Sequence, residues 1–82
     1  MAYEWRYTSL FITQINALSA DRQEAARKKV EQICIMPEHF DFLHKTDRMQ
    51  KARVGKYRIF FRVNGNLIEF IEIRKRDVAY KR

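Results

Sequence analysis

The sequence is short of the residues that build metal centres, disulfides and flexible linkers. It holds one cysteine, Cys34, which excludes an internal disulfide and any site made from several cysteines. Its two histidines, His39 and His44, add too few ligands for a metal site rich in histidine and cysteine. No apolar run approaches the roughly 20 residues that a membrane-spanning helix needs. The first ten residues, MAYEWRYTSL, lack the apolar stretch of a secretory signal. No repeat, low-complexity tract or linker is visible. These absences point to a small cytoplasmic protein with no membrane partner and no disulfide framework.

The remainder suffices for one core. A chain of 82 residues is expected to form a single domain over 1–82, because two halves would each be too small to sustain themselves. Hydrophobic residues make up 46%, which argues against disorder. Lys and Arg number 17 against 10 Asp and Glu, and the excess is segregated. Residues 1–42 carry five basic and six acidic side chains, a net of −1. Residues 43–82 carry 12 basic and four acidic ones, a net of +8. A field of that shape gathers polyanions at one surface.

Tyr3 to Tyr7 reads as a short strand. Thr8 and Ser9 can each cap a helix by accepting an orphan backbone N–H. Phe11, Ile15 and Leu18 then recur at helical spacing. A second helix runs from about Ala20 to Ile35, with Ser19 and Gln23-Glu24 as a loose start signal and Pro37 as the stop. Ala26, Val30 and Ile33 form its buried stripe. The short connection predicts a helical hairpin. Phe40, Phe42 and Leu43 are too apolar to be left in water, so some of them should pin the following loop. Three strands complete the chain: Met49 to Val54, Tyr57 to Val63 and Leu67 to Arg74. Gly55-Lys56 suits a type II′ turn and Asn64-Gly65 a type I′ turn. Asp77 to Arg82 is a tail that continues as an edge strand or a turn. The fold class is α+β, with the order β-α-α-β-β-β: an antiparallel sheet with the helical hairpin packed on one face.

Period-two alternation places Tyr57, Ile59, Phe61 and Val63 on one face of the second hairpin strand, and Arg58, Phe60 and Arg62 on the other. Two helices cover only one face, and the apolar set must turn to them. Lys51, Arg53, Arg58 and Arg62 are therefore expected on the open side, with Arg74 and Arg76 following at the end of the last strand. Cations hold phosphates, and Phe60 among them offers a stacking surface for a base. The plainer alternative is a wetted sheet face, with Glu72 as a counter-charge for Arg58 and edge cations guarding against aggregation. Tyr57 is expected in the core, His39 and His44 on the loop surface, Cys34 buried, and Trp5 in the core or at a partner interface.

These residues carry a family resemblance. The run Lys51-Ala-Arg-Val-Gly-Lys-Tyr-Arg-Ile-Phe-Phe-Arg-Val, then Asn-Gly-Asn, then Ile71-Glu-Ile-Arg-Lys-Arg-Asp-Val-Ala-Tyr80 resembles the RelE/ParE toxin superfamily, most closely its RelE-type mRNA interferases. The resemblance implies the RelE-like fold and the toxin of a type II toxin–antitoxin pair. It implies a ribosome-dependent endoribonuclease that cuts mRNA in the A site and arrests translation. No metal or small-molecule cofactor is used: the 2′-hydroxyl attacks the phosphorus, the 5′-oxygen leaves, and a 2′,3′-cyclic phosphate results. The implied catalytic set is Lys51, Arg53, Arg58, Arg76 and Tyr80. By that resemblance Arg58 and Arg76 hold the phosphate, Lys51 or Arg53 orients it and assists proton transfer, and Tyr80 acts near the 2′-hydroxyl or stacks on a base. Lys56, Phe60, Arg62, Arg74 and Lys75 are expected to bind RNA. The implied partners are the ribosome, mRNA and a cognate antitoxin that blocks the basic face. Two other functions stay open: a ParE-like inhibitor of DNA gyrase, and a non-catalytic RNA- or ribosome-binding relative.

Overall fold

The structure, a computed structural model, describes residues 3–40 and 49–75. The elements run β1 (Glu4–Tyr7), α1 (Ser9–Asn16), α2 (Ala20–Ile35), a 3₁₀ turn (Pro37–His39), β2 (Met49–Val54), β3 (Tyr57–Asn64) and β4 (Leu67–Lys75). Phe42, Leu43, His44 and the tail from Arg76, with Tyr80, lie outside the described residues.

The α+β architecture is the one expected, with one difference in strand direction. The sheet order is β1-β4-β3-β2. β2, β3 and β4 are antiparallel neighbours, but β1 lies parallel to β4. The long excursion through both helices and both hairpins returns the chain in the direction it left. A parallel neighbour needs such a crossover, whereas a tight turn can join only antiparallel strands.

Thr8 accepts the Phe11 N–H at 3.1 Å and starts α1. Ser19 caps α2 by position but makes no side-chain bond. Gln23 instead reaches back, its Nε2 donating to the Leu18 carbonyl at 3.1 Å and toward the Asn16 carbonyl at 3.4 Å, and so satisfies the end of α1. Both turns contain glycine at positive φ, 59° at Gly55 and 58° at Gly65, where a Cβ would be strained. The second turn differs from expectation. Asn64 pairs with Leu67, so the loop is Gly65-Asn66 rather than Asn64-Gly65. A type I′ turn needs positive φ at both central residues, and no described non-glycine residue has it. One positive φ followed by a negative one is the type II′ pattern in both hairpins.

Phe11, Ala26, Val30 and Ile33 from the helices meet Ala52, Ile59, Phe61, Ile68, Phe70 and Ile73 from the sheet in one core. Phe61 and Phe70 lie 5.9 Å apart and Phe11 reaches Phe70 at 5.6 Å. The spacing of buried positions in β4 is uneven: Ile68, Phe70, then Ile73. Phe60 pairs with Glu72 but Phe61 pairs with Phe70, so Ile71 is an extra residue in β4, a β-bulge. Side chains of the β1–α1 segment hold the bulge. Thr8 Oγ1 donates to the Ile71 carbonyl at 2.7 Å, and the Ile73 N–H donates to Gln14 Oε1 at 2.6 Å. These bonds satisfy backbone groups at the stretch of the β4 edge that β1 is too short to cover.

Candidate nucleic-acid interface

The bulge decides which way Arg74 points. Regular alternation from Ile68 and Phe70 would turn Arg74 toward the helices. The extra residue shifts the parity, so Ile73 enters the core and Arg74 joins the open face. Pairing then sets the open face out in rows. Arg53 stands opposite Arg58, and Arg58 opposite Arg74, three arginines abreast on three adjacent strands. In the next row Lys51, Phe60 and Glu72 stand abreast. Beyond it come Met49, Arg62, Glu69 and Arg6.

Two carboxylates lie among these cations, each engaged by an arginine. Glu69 Oε2 accepts from Arg6 Nε at 3.0 Å and Nη2 at 2.6 Å. Glu72 Oε2 accepts from Arg74 Nη2 at 2.9 Å, an arginine partner on its own strand. Opposed like charges on neighbouring strands are destabilising. Within the row, Arg53 and Arg58 are directly opposed across the β2–β3 ladder, an arrangement that a bound anion would favour. Arg62 is half-buried, and its Nε has no hydrogen-bond partner among the described residues.

Phe60 departs from expectation. It is only 4% exposed, although it lies outside the core cluster and on the open face. The Arg74 guanidinium sits 5.2 Å above its ring. An aromatic so covered presents no free face to a base. It serves as the floor on which Arg74 rests, a cation–π contact worth about 0.5–1 kcal/mol at such sites. Two lysines also depart. Lys75 pairs with Tyr57, a core-packed residue, and so takes the helix-side register, exposed at the strand end. Lys56 is in the turn and lines a cavity of about 280 Å³ with Leu18, Arg22, Val54 and Tyr57, again on the helix side. Arg76 and Tyr80 lie outside the described residues. The structure thus brings Lys51, Arg53, Arg58, Arg62 and Arg74 together and separates Lys56 and Lys75 from them.

The turn before β2 forms a wall of the site. Lys51, Arg53 and Arg58 line a depression of about 190 Å³ whose other wall is His39 and Phe40. The 3₁₀ turn places that wall. Pro37 is buried, and Phe40 meets Phe61 edge-on at 6.0 Å. Gln50, 4% exposed, points its Nε2 at the turn and donates to the carbonyls of Pro37 at 2.7 Å and Phe40 at 2.9 Å. The signal for Gln50 was available: a polar residue at a core-facing position of a strand needs a partner.

On the helix side, Trp5 is 51% exposed, so it is not a core residue. Tyr57 packs on the core, its hydroxyl accepting from Arg22 at 3.2 Å. Cys34 is half-buried rather than buried. Burial raises its thiol pKa, with Glu31 adding to the effect. Burial also raises the Tyr7 phenol, helped by Cys34 and opposed by Arg27. Among the described residues no group of three or more His, Cys, Asp or Glu side chains could hold a metal ion. No helix among them is long and apolar enough to cross a membrane.

The sequence match and the fold together place the chain in the RelE/ParE toxin superfamily. The family model described as the ParE toxin of the type II toxin-antitoxin system, parDE, matches residues 6–80, and the chain belongs to that family. No curated protein matches the sequence. Solved structures are similar in fold. The toxin–antitoxin complex RelBE2 from Mycobacterium tuberculosis aligns with a TM-score of 0.80 at 16% identity, over 93% of this chain and 100% of that one. A mutant of the E. coli toxin RelE in the free state aligns with a TM-score of 0.81 at 19% identity, over 96% and 88%. The archaeal RelE–RelB complex from Pyrococcus horikoshii OT3 aligns with a TM-score of 0.77 at 20% identity, over 93% and 97%.

Proposed function

We propose that this toxin is a ribosome-dependent mRNA endonuclease of the RelE type, acting in the cytoplasm and held inactive by a cognate antitoxin. One observation carries the reading: Arg53, Arg58 and Arg74 stand abreast on the open face with Lys51 one row away. Such a cluster matches the charge that develops on a phosphate during attack by a neighbouring 2′-hydroxyl. Lys51 supplies a proton to the leaving 5′-oxygen, which arginine cannot do because it does not release its proton. Arg53 and Arg58 hold the non-bridging oxygens, and Arg62 and Arg74 the flanking backbone. Arg76 and Tyr80 enter this scheme through the family resemblance alone. An antitoxin with an acidic segment would cover the same face, in keeping with the toxin–antitoxin complexes among the structures of similar fold.

The match to the ParE toxin model favours a second reading, an inhibitor of DNA gyrase that cuts no RNA. Translation of a reporter mRNA with purified toxin separates the two. The nuclease reading expects cuts within codons on ribosomes, reduced at least about 100-fold by Arg58→Ala, a loss of the size seen when a group that stabilises transition-state charge is removed. Intact mRNA together with inhibited DNA supercoiling by gyrase establishes the second reading instead.

A further inference from the structure

We propose that His39 is the general base of the RNA-cleavage reaction, held at the basic face by the buried amide of Gln50. The inference rests on the nuclease reading. Cleavage needs a group that accepts the 2′-proton and one that protonates the leaving oxygen. Among the described residues lining the depression with Arg53 and Arg58, the side chains that can give or take a proton in a reaction are Lys51 and His39. Lys51, a cation, suits the acid, and the His39 imidazole suits the base.

The placement of His39 is built rather than incidental. Its residue sits between Pro37 and Phe40, and the carbonyls of both accept from the same Gln50 nitrogen, at 2.7 and 2.9 Å. Gln50 is 4% exposed and lies on β2 next to Lys51. One buried amide therefore fixes the backbone on both sides of His39 relative to the strand that carries Lys51 and Arg53. His39 itself is exposed, so its ring is open to substrate. Among the described residues, the charged groups around it are Lys51 and Arg53 on β2, Arg58 on β3, Glu38 beside it in the turn, and Lys29 of α2, whose ammonium lies 5.9 Å from the Phe40 ring.

In the reaction the neutral imidazole takes the 2′-proton as the O2′–P bond forms. The P–O5′ bond breaks, and the 5′-oxygen takes a proton from the Lys51 ammonium. The products are a 2′,3′-cyclic phosphate and a 5′-hydroxyl. The imidazolium and the lysine amine then exchange their protons with solvent, which restores both.

The test is the single-turnover rate of mRNA cleavage on programmed ribosomes between pH 5.5 and 9, for the wild-type protein, His39→Gln and Gln50→Leu. The wild-type rate is expected to rise with pH from the acid end of that range, as the base loses its proton. His39→Gln is expected to lose about 100-fold or more at pH 8 and to lose that acid limb, with unchanged ribosome binding. Gln50→Leu is expected to keep the limb at a reduced rate, as befits a positioning residue. A His39→Gln variant that cuts within threefold of wild type, or retains the limb, overturns the role of His39 while the nuclease reading stands. A wild-type protein that cuts no ribosome-bound mRNA at any pH overturns both.

Discussion

Phe60 shows how a side chain can meet the pattern for one role and perform another. Its alternation places it among cations on the open face, yet it is 4% exposed beneath the Arg74 guanidinium. If it acts as a platform, truncation costs stability as well as function. Phe60→Ala is expected to lower the free energy of unfolding by about 3 kcal/mol, the low end for burying and then deleting a phenyl ring. Urea denaturation reads this directly, and a variant as stable as wild type would mean the ring is not supporting the sheet. Cys34 makes a second residue-scale case. Burial lifts its thiol, so the unfolded chain gives up that proton first as pH rises. The native state then binds more protons than the unfolded state, and stability falls with increasing pH from the unfolded thiol's range, about 8.5, upward. The urea midpoint is expected to decline between pH 8 and 10, and Cys34→Ala to delay the decline until the Tyr7 phenol, also raised by burial, begins to contribute.

At the scale of elements, the bulge in β4 is the device that links fold to site. Its Ile73 N–H has Gln14 Oε1 as acceptor at 2.6 Å, from a helix 59 residues earlier in the chain. Gln14→Ala leaves that amide without its partner and is expected to cost about 1–3 kcal/mol, the penalty for an unsatisfied part-buried donor. Because the bulge sets the parity of Arg74, the same variant should weaken RNA binding without touching any cation. A variant that is destabilised but binds RNA as before would separate the two roles. The bulge also marks where the sequence stops being legible. The span of α2, the limits of β2 and the II′ turn at Gly55 follow from periodicity, a proline and one glycine, all local signals. Nothing local in LIEFIEIR distinguishes a regular strand from a bulged one, because Ile71 is apolar and fits either face. The partner that settles it, Gln14, reads as an ordinary helix residue. Asn64-Gly65 failed similarly: the dipeptide fits a I′ turn, but the register that pairs Asn64 with Leu67 shifts the loop by one residue. His39 is exposed in the 3₁₀ turn, as expected of a loop histidine, but its neighbours across the depression are set by the tertiary fold and carry no local signal.

At the scale of the whole molecule, the charge segregation read from composition becomes a conflict between stability and ligand. Arg6 and Arg74, among the open-face cations, have the carboxylates of Glu69 and Glu72 close by. Arg53, at the exposed edge strand, faces Arg58 across the ladder. Repulsion in such a pair costs about 0.2–1 kcal/mol, and salt screens it. Replacing Arg53 by glutamine removes one member of the row without altering the backbone. In the free protein at low salt, Arg53→Gln is therefore expected to raise the unfolding temperature by a few degrees, and the gain should vanish near 1 M salt. With a short RNA present the order should reverse. The wild type, with the full row, gains more from the bound phosphates, since a ligand that binds only the native state stabilises it in proportion to its affinity. Its gain should fall steeply with salt as released counterions lose their advantage. Thermal melts of both proteins, with and without RNA at two salt concentrations, measure all of these quantities. If Arg53→Gln is less stable than wild type in the free state, the row is a set of ordinary surface charges already balanced within the protein. If it is more stable free and less stable bound, the sheet keeps its repulsion for the sake of the phosphate it grips.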